Sequence, residues 1–328
     1  MAPTLSILDL AVVGSGETVA SGLAGCVEIA RRAEALGYRR VWYAEHHNMA
    51  SIASSATAVL IAHVAAHTER IRLGSGGIML PNHSPLTIAE QFGTLEALHP
   101  GRIDLGLGRA PGTDQVTVRA LRRDPRAAET FPQDVVELQA FLADESRVPG
   151  VEATPGKGTR VPLYILGSSL FGAELAGLLG LPFGFASHFA PGALTDAVAL
   201  YRRTFRPSAQ CDAPYVLAGV NVIAADTRAE ADDQLAATRR ARVKRMFSRG
   251  GQSLTDAEAD AVLRGPQAAF VDEMIRHTAV GTPDEVATAL DAFATFADAD
   301  ELVTVHNATS LAGRLRSVEL TAAAVGVA

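Results

Sequence analysis

The sequence is poor in cysteine, lysine and aromatic residues, and each shortage narrows what the chain can be. Cys26 and Cys211 are the only cysteines among 328 residues. Two lone thiols make no disulfide framework and fit a reducing cytoplasm. Lysine occurs only at Lys157 and Lys244, so arginine carries nearly all the positive charge, and the formal net charge is −7. A mildly acidic chain without a basic stripe argues against nucleic acid as a main partner. Long apolar runs are missing as well. The longest, around 56–66, is broken by His63 and is too short to span a bilayer. No basic segment precedes the first apolar stretch, so no signal peptide is expected. The expected setting is cytoplasmic, with no membrane and no nucleic acid.

What is present is one pattern, repeated. Residues 70–74 read as a strand, and 78–83 lead to a helix start at Ser84-Pro85. Ser84 fits an N-cap and Pro85 the first helical position, where a missing N–H costs nothing. Ile88, Phe92, Leu95 and Leu98 recur at helical spacing, Pro100-Gly101 stops the helix, and 102–107 read as the next strand. Strand–helix–strand of this length implies parallel strands and a right-handed crossover. Further strands are predicted at 5–13, 41–44, 162–166, 183–186, 215–223 and 301–305, each followed by a helical segment. The fold class is therefore α/β, a single (β/α)8 TIM barrel with insertions after strands four and seven, as one domain. A doubly wound open sheet is the alternative. The polar segment 248–269, with Gly250-Gly251, is expected to be a mobile lid.

Glu45, His46, Gly76, Gly77, Asn82, Arg109, Ser168, His188 and His306 all follow the ends of predicted strands. In a barrel those ends share one face, and that face carries the active site. Glu45-His46-His47 has three readings: polar residues leaving a strand, a proton-moving histidine steadied by a carboxylate, or a metal site. His63 and His67 are spaced i, i+4 but lack the acidic residue of HExxH, so no metal is expected. Gly106-Leu107-Gly108-Arg109 misses the GxGxxG spacing, because the third glycine is Gly112. That argues against a dinucleotide site. Arg109 at a glycine turn can still hold a phosphate, and Ser168-Ser169 at a helix start would add N–H donors. Taken together they suggest a phosphate-bearing cofactor.

These residues lie in longer blocks. VWYAEHHN (41–48), RIRLGSGGIMLPNHSPL (70–86), EQFGTLEALHPGRIDLGLGRAPGTD (90–114), LGSSLFGAELAGLLGLP (166–182) and VGTPDEV (280–286) together resemble the bacterial luciferase-like flavin-dependent monooxygenases. The resemblance implies a barrel that binds reduced FMN, which reacts with O2 to give a flavin C4a-hydroperoxide. It makes His46 catalytic, Arg109 the FMN-phosphate arginine and Ser168 a serine at the phosphate; Glu45 is expected to act beside His46, and Gly167 and Ser169 to complete the cofactor site. Gly76-Gly77 would be a cis dipeptide under the flavin ring. Asn82, His188 and His306 are assigned to the substrate pocket. The family's reactive cysteine after strand four is Gly108 here, its acidic residue before the strand-five serine is Gly167, and a phosphate-binding threonine is Phe171. The expected partners are a separate NAD(P)H:flavin reductase, a small-molecule substrate such as a secondary metabolite, and a second copy of the chain. The homodimer would form through helices 54–67 and 84–98. An F420-dependent oxidoreductase and a flavin-binding protein without turnover are the rival functions on the same barrel.

Overall fold

All the paired strands run parallel, and their sheet closes on itself. The strands are β1 (Thr4–Asp9), β2 (Arg40–Tyr43), β3 (Arg72–Met79), β4 (Ile103–Gly108), β5 (Leu163–Gly167), β6 (Phe183–Phe185), β7 (Val216–Ala224), β8 (Thr278–Gly281) and β9 (Glu301–His306). The helices are α1 (Val19–Ala35), α2 (Thr57–Ala65), α3 (Pro85–Leu98), α4 (Gln115–Ala120), α5 (Phe131–Ala143), α6 (Leu170–Leu179), α7 (Leu194–Thr204), α8 (Arg228–Phe247), α9 (Asp256–Leu263), α10 (Ala268–Met274), α11 (Pro283–Ala297) and α12 (Leu311–Val325). This computed structural model describes residues 3–14, 16–124, 126–247 and 254–326. β1 to β7 pair in sequence order, β7 pairs β9, and β9 returns to β1, which closes a (β/α)8 barrel. No helix among the described residues is long and apolar enough to cross a membrane.

One strand departs from expectation. β8 is short and lies inside the second insertion, so the eighth barrel strand is β9. β6 covers β7 only at Val216–Ala218, and β8 pairs with the free upper half at Asn221–Ala224. It fills the edge that a three-residue strand leaves open. The insertions themselves fall where expected, after β4 (α4 and α5) and after β7 (α8 to β8).

Strand alternation sorts the core into two layers. Leu5, Ile7, Val41, Tyr43, Leu105, Leu163 and Ile165 point outward and pack with the helices in the main cluster. Leu8, Trp42, Ala44, Tyr164, Leu217, Val303 and Val305 point inward and fill the barrel. The period of two explains the split, since successive Cβ atoms leave opposite faces. The large inward rings need space beside them, and glycines supply it. A Cβ on Gly74 would lie 2.9 Å from the Trp42 indole nitrogen, and one on Gly76 would lie 2.5 Å from Leu8. Trp42 and Tyr164 meet edge to face, with centroids 4.9 Å apart.

Candidate active site

A cavity of about 420 Å³ opens at the carboxyl ends of the strands. That volume is of the order of a small-molecule site, roughly 300–1,000 Å³. Leu8, Leu10, Ile52, Leu166 and Val305 make much of its wall apolar. Gly76, Gly77, His46, Arg109, Gly167, Ser168, Ser169 and His188 all line it, so most of the residues singled out from the sequence converge there.

The floor is made by β3. The Gly76–Gly77 peptide is cis. The β3–β4 register shifts at the same place, between Ser75 and Ile78. Gly77 is small for a reason other than a ligand: a Cβ there would stand 2.7 Å from the Gly106 carbonyl oxygen and 2.8 Å from Leu166. The close approach of β4 fixes this glycine, and Ser75 Oγ ties the two strands by donating to Gly106 O at 2.8 Å.

His46 leaves the end of β2 with its Nδ1 3.4 Å from the Gly112 carbonyl oxygen. A carbonyl only accepts, so Nδ1 carries the proton in that contact and Nε2 is the free acceptor. Burial pushes the His46 pKa below its ordinary value, the Gly112 bond opposes this, and the Arg245 charge adds to the lowering. The ring is neutral at pH 7.

Glu45 does something different from what its place beside His46 suggests. Its carboxylate is 1% exposed and does not line the cavity. It accepts from His47 Nε2 at 2.9 Å, His83 Nε2 at 3.0 Å, Asn82 Nδ2 at 3.2 Å and the Met79 N–H at 3.0 Å. Burial works against the charge, but the bonds from His47 and His83 prevail and hold its pKa at about 2. Glu45 and His46 are neighbours on alternating faces, so only His46 can face the cavity. Glu45 is a positioning residue that ties the ends of β2 and β3 together.

Two of the three pocket assignments are corrected by the same geometry. Asn82 Nδ2 is used up on Glu45 and on the Pro111 carbonyl at 2.9 Å, outside the cavity wall. His306 is the residue between the inward Val305 and Asn307, so its ring turns outward. Its Nδ1 contacts Ser317 Oγ of α12 at 2.8 Å and its Nε2 contacts Thr304 Oγ1 at 3.2 Å. His188 does line the cavity, and its buried Nδ1 has no hydrogen-bond partner.

The opposite wall presents free donors to the cavity. Ser169 is the N-cap of α6, yet its side chain makes no capping bond. The first-turn N–H groups and the positive end of the helix dipole are therefore free. Gly167 leaves room in front of them, since a Cβ there would meet nothing nearer than 3.8 Å. The Arg109 guanidinium lies 4.1 Å above the Phe171 ring, so the phenylalanine that replaces the expected threonine holds the arginine by stacking.

Sequence reasoning missed Arg242 and Arg245. Both line the cavity from α8, one turn apart. Thr238, Arg242 and Arg245 fall at i, i+4 and i+7, and Thr238 Oγ1 donates to Asn307 O at 2.8 Å, fastening this face of α8 to the barrel mouth. The signal was an arginine on the helix face that also holds the buried Ala231 and Thr238. It was hidden in a segment where charge is dense all round.

The luciferase-like monooxygenase family pattern matches residues 4–299. The luciferase-like monooxygenase of Escherichia coli strain K12 is 45% identical over 317 residues, covering 96% of this chain and 95% of that one. The N-acetyl-S-alkylcysteine monooxygenase of Bacillus subtilis is 36% identical over 296 residues, 87% of each chain. Among solved structures, apo-MsnO8 superposes with a TM-score of 0.89 at 36% identity, over 99% of both chains. By pattern, relatives and barrel alike, the chain belongs to the luciferase-like monooxygenase family.

Proposed function

We propose that the chain is the oxygenating component of a two-component flavin monooxygenase. It receives reduced FMN from a separate NAD(P)H:flavin reductase and uses O2 to oxygenate a small organic substrate. The observation that carries this reading is the wall at α6. A stacked arginine, a free helix N-terminus and an open glycine step face an apolar cavity, which is what a phosphate-tailed planar ring requires. In this reading Arg109, Ser168, Ser169 and the backbone at Gly167 hold the phosphate. Gly76 and Gly77 form a floor without side chains against which a flat ring can lie. His46 holds a proton on Nδ1 against Gly112 and offers Nε2 to the reaction as acceptor. Reduced FMN, when bound, supplies the activation of O2; the leucines, Ile52 and Val305 keep water away from it. The chain carries no dinucleotide fingerprint of its own, which is why a reductase is required.

Fluorescence titration of FMN tests the phosphate grip. Arg109→Ala is expected to lose a charge-assisted contact of roughly 1.5–3 kcal/mol, about ten- to a hundredfold in affinity. The circular dichroism melt should be unchanged, since Arg109 is exposed. Unchanged FMN affinity would remove Arg109 from the site. Product formation with FMNH2, O2 and a panel of substrates tests the reaction class: no oxygenated product, with hydride transfer from an organic substrate to F420 instead, would replace this reading by a deazaflavin oxidoreductase.

A further inference from the structure

We propose that Arg242 and Arg245 recognise a carboxylate on the organic substrate, so that the enzyme acts on organic acids. This rests on the monooxygenase reading above and deepens it. Arg242 is 6% exposed and lines the cavity, and its Nε and Nη1 have no hydrogen-bond partner. No carboxylate among the described residues pairs with Arg242 or Arg245, although the other arginines of α8 are paired. Arg239 meets Asp272, Arg240 meets Asp260, and Arg228 meets Asp232. The two cavity arginines also stand close enough to repel one another: burial, and then the Arg245 charge, lower the Arg242 pKa to about 10. It remains a cation at neutral pH. A buried cation without a partner costs several kcal/mol, and a fold keeps one where an anion arrives to pair with it.

The position of these arginines identifies the anion. The phosphate wall, with Arg109 and α6, belongs to β4 and β5. Arg242 belongs to α8, after β7, where its charge acts on His188, and Arg245 acts on His46. An anion held here lies beside the histidines at the reacting end of the cavity, away from the phosphate grip. A guanidinium presents paired N–H groups that match a carboxylate in two-pronged fashion. Arg242 keeps Nε and Nη1 without partners, and His188 Nδ1, in the same cavity, is unpartnered too.

The test uses paired probes on the full chain, N-acetyl-S-benzylcysteine and benzoate each against its carboxamide, read by calorimetry with and without FMN. At least one acid is expected to bind tenfold or more tightly than its amide, and Arg242→Met is expected to erase that preference. FMN affinity should be unaffected by Arg242→Met while Arg109→Ala weakens it. Removing an unpaired buried cation should also leave the melting temperature of Arg242→Met equal or higher; Arg245→Met, at the more exposed position, serves as the second variant. Equal binding of acids and amides, absence of binding by any probe, or an acid preference that survives both substitutions overturns the proposal. So does a loss of FMN affinity in Arg242→Met as large as in Arg109→Ala, which would give these arginines to the flavin phosphate. Failure of the wild type to bind either FMN or FMNH2 would instead overturn the monooxygenase reading, and the acid preference would still be measurable on the apo chain.

Discussion

Three buried groups of the barrel's upper face are held in the state that acid destroys. Burial, with Arg242 and His46 adding to it, pushes the His188 pKa down to about 3, and burial alone does the same for His306. Each titrates near 6.5 when unfolded. The unfolded chain therefore takes up these protons first as the pH falls. Their contribution is fully present above about pH 6.5 and is lost progressively down to about pH 3, at about 1.4 kcal/mol per pH unit for each histidine. Glu45, held at about 2, adds a loss of the same sign below its ordinary value of 4.5. Thermal melts between pH 7 and 4.5 should show a steep fall in Tm, and the double substitution His188→Gln, His306→Gln should flatten most of it. A flat wild-type profile would mean that these rings are hydrated. Residue by residue, His46, Arg109, Ser168 and His188 were legible because each lies within three residues of a strand's carboxyl end, where the barrel's polarity fixes a location. The facing of His306 was not legible, because one residue of register decides it. Arg242 was not legible either, because the dense charge of α8 hides the face it shares with Ala231 and Thr238.

Among the elements, the insertion after β7 is the one the sequence described least well. The expected lid at 248–269 lies partly outside the described residues, at 248–253. The rest is more ordered than a polar loop. Thr255 caps α9 in a capping box with Glu258, and Val243, Ala259 and Val271 form a small core between α8, α9 and α10. Helices of eight and seven residues have too few turns to show an apolar period, and their stability comes from contact with α8 rather than from propensity. Ion pairs complete the attachment: Arg240–Asp260 at 2.6 Å, Arg239–Asp272 at 2.7 Å and Lys244–Asp256 at 2.9 Å. These pairs are partly solvated, so each is weak and is screened by salt. α10 brings Met274 to the cavity wall, so loosening this group would open the site. In 1 M NaCl, amide exchange should accelerate several-fold in α9 and α10 and hardly at all in β1 to β7. Equal protection at both salt levels would show that the apolar contacts hold the insertion alone.

At the scale of the whole molecule, the barrel was legible because strand–helix alternation over the full chain leaves few topologies open. β8 escaped because its role is to cover an edge left by the shortness of β6, a property of neighbours in space. The outer surface carries one expectation forward: Val59 of α2 is 70% exposed and Leu98 of α3 is 63% exposed, where the homodimer is expected. A monomer mass by light scattering at micromolar concentration would contradict it. The lower end of the barrel is a different matter, because there charge replaces apolar filling. Arg40 Nη1 donates to Asp104 at 2.8 Å and to the Tyr164 hydroxyl at 2.7 Å, and its Nη2 donates to Glu301 at 3.1 Å. Its Nε lies 2.9 Å from Glu301 Oε1 without the alignment of a hydrogen bond. Its guanidinium also sits 5.4 Å from the Trp42 ring and 5.1 Å from the Tyr164 ring. Arg40 and Glu301 are the first residues of β2 and β9, so this network plugs the end opposite the cavity. Removing Arg40 takes away the buried cation between Asp104 and Glu301, at a cost of about 3–5 kcal/mol. Arg40→Met is therefore expected to lower the urea midpoint sharply, because a domain holds only about 5–15 kcal/mol in all. Asp104 keeps Arg72 and Trp42, and Glu301 keeps Ser6 and Tyr215, so the variant should still fold in the cold. Measured there, its FMN affinity per folded molecule should equal that of the wild type, since no residue of the network lines the cavity. A variant with normal stability and weakened FMN binding would reverse the assignment of the two ends.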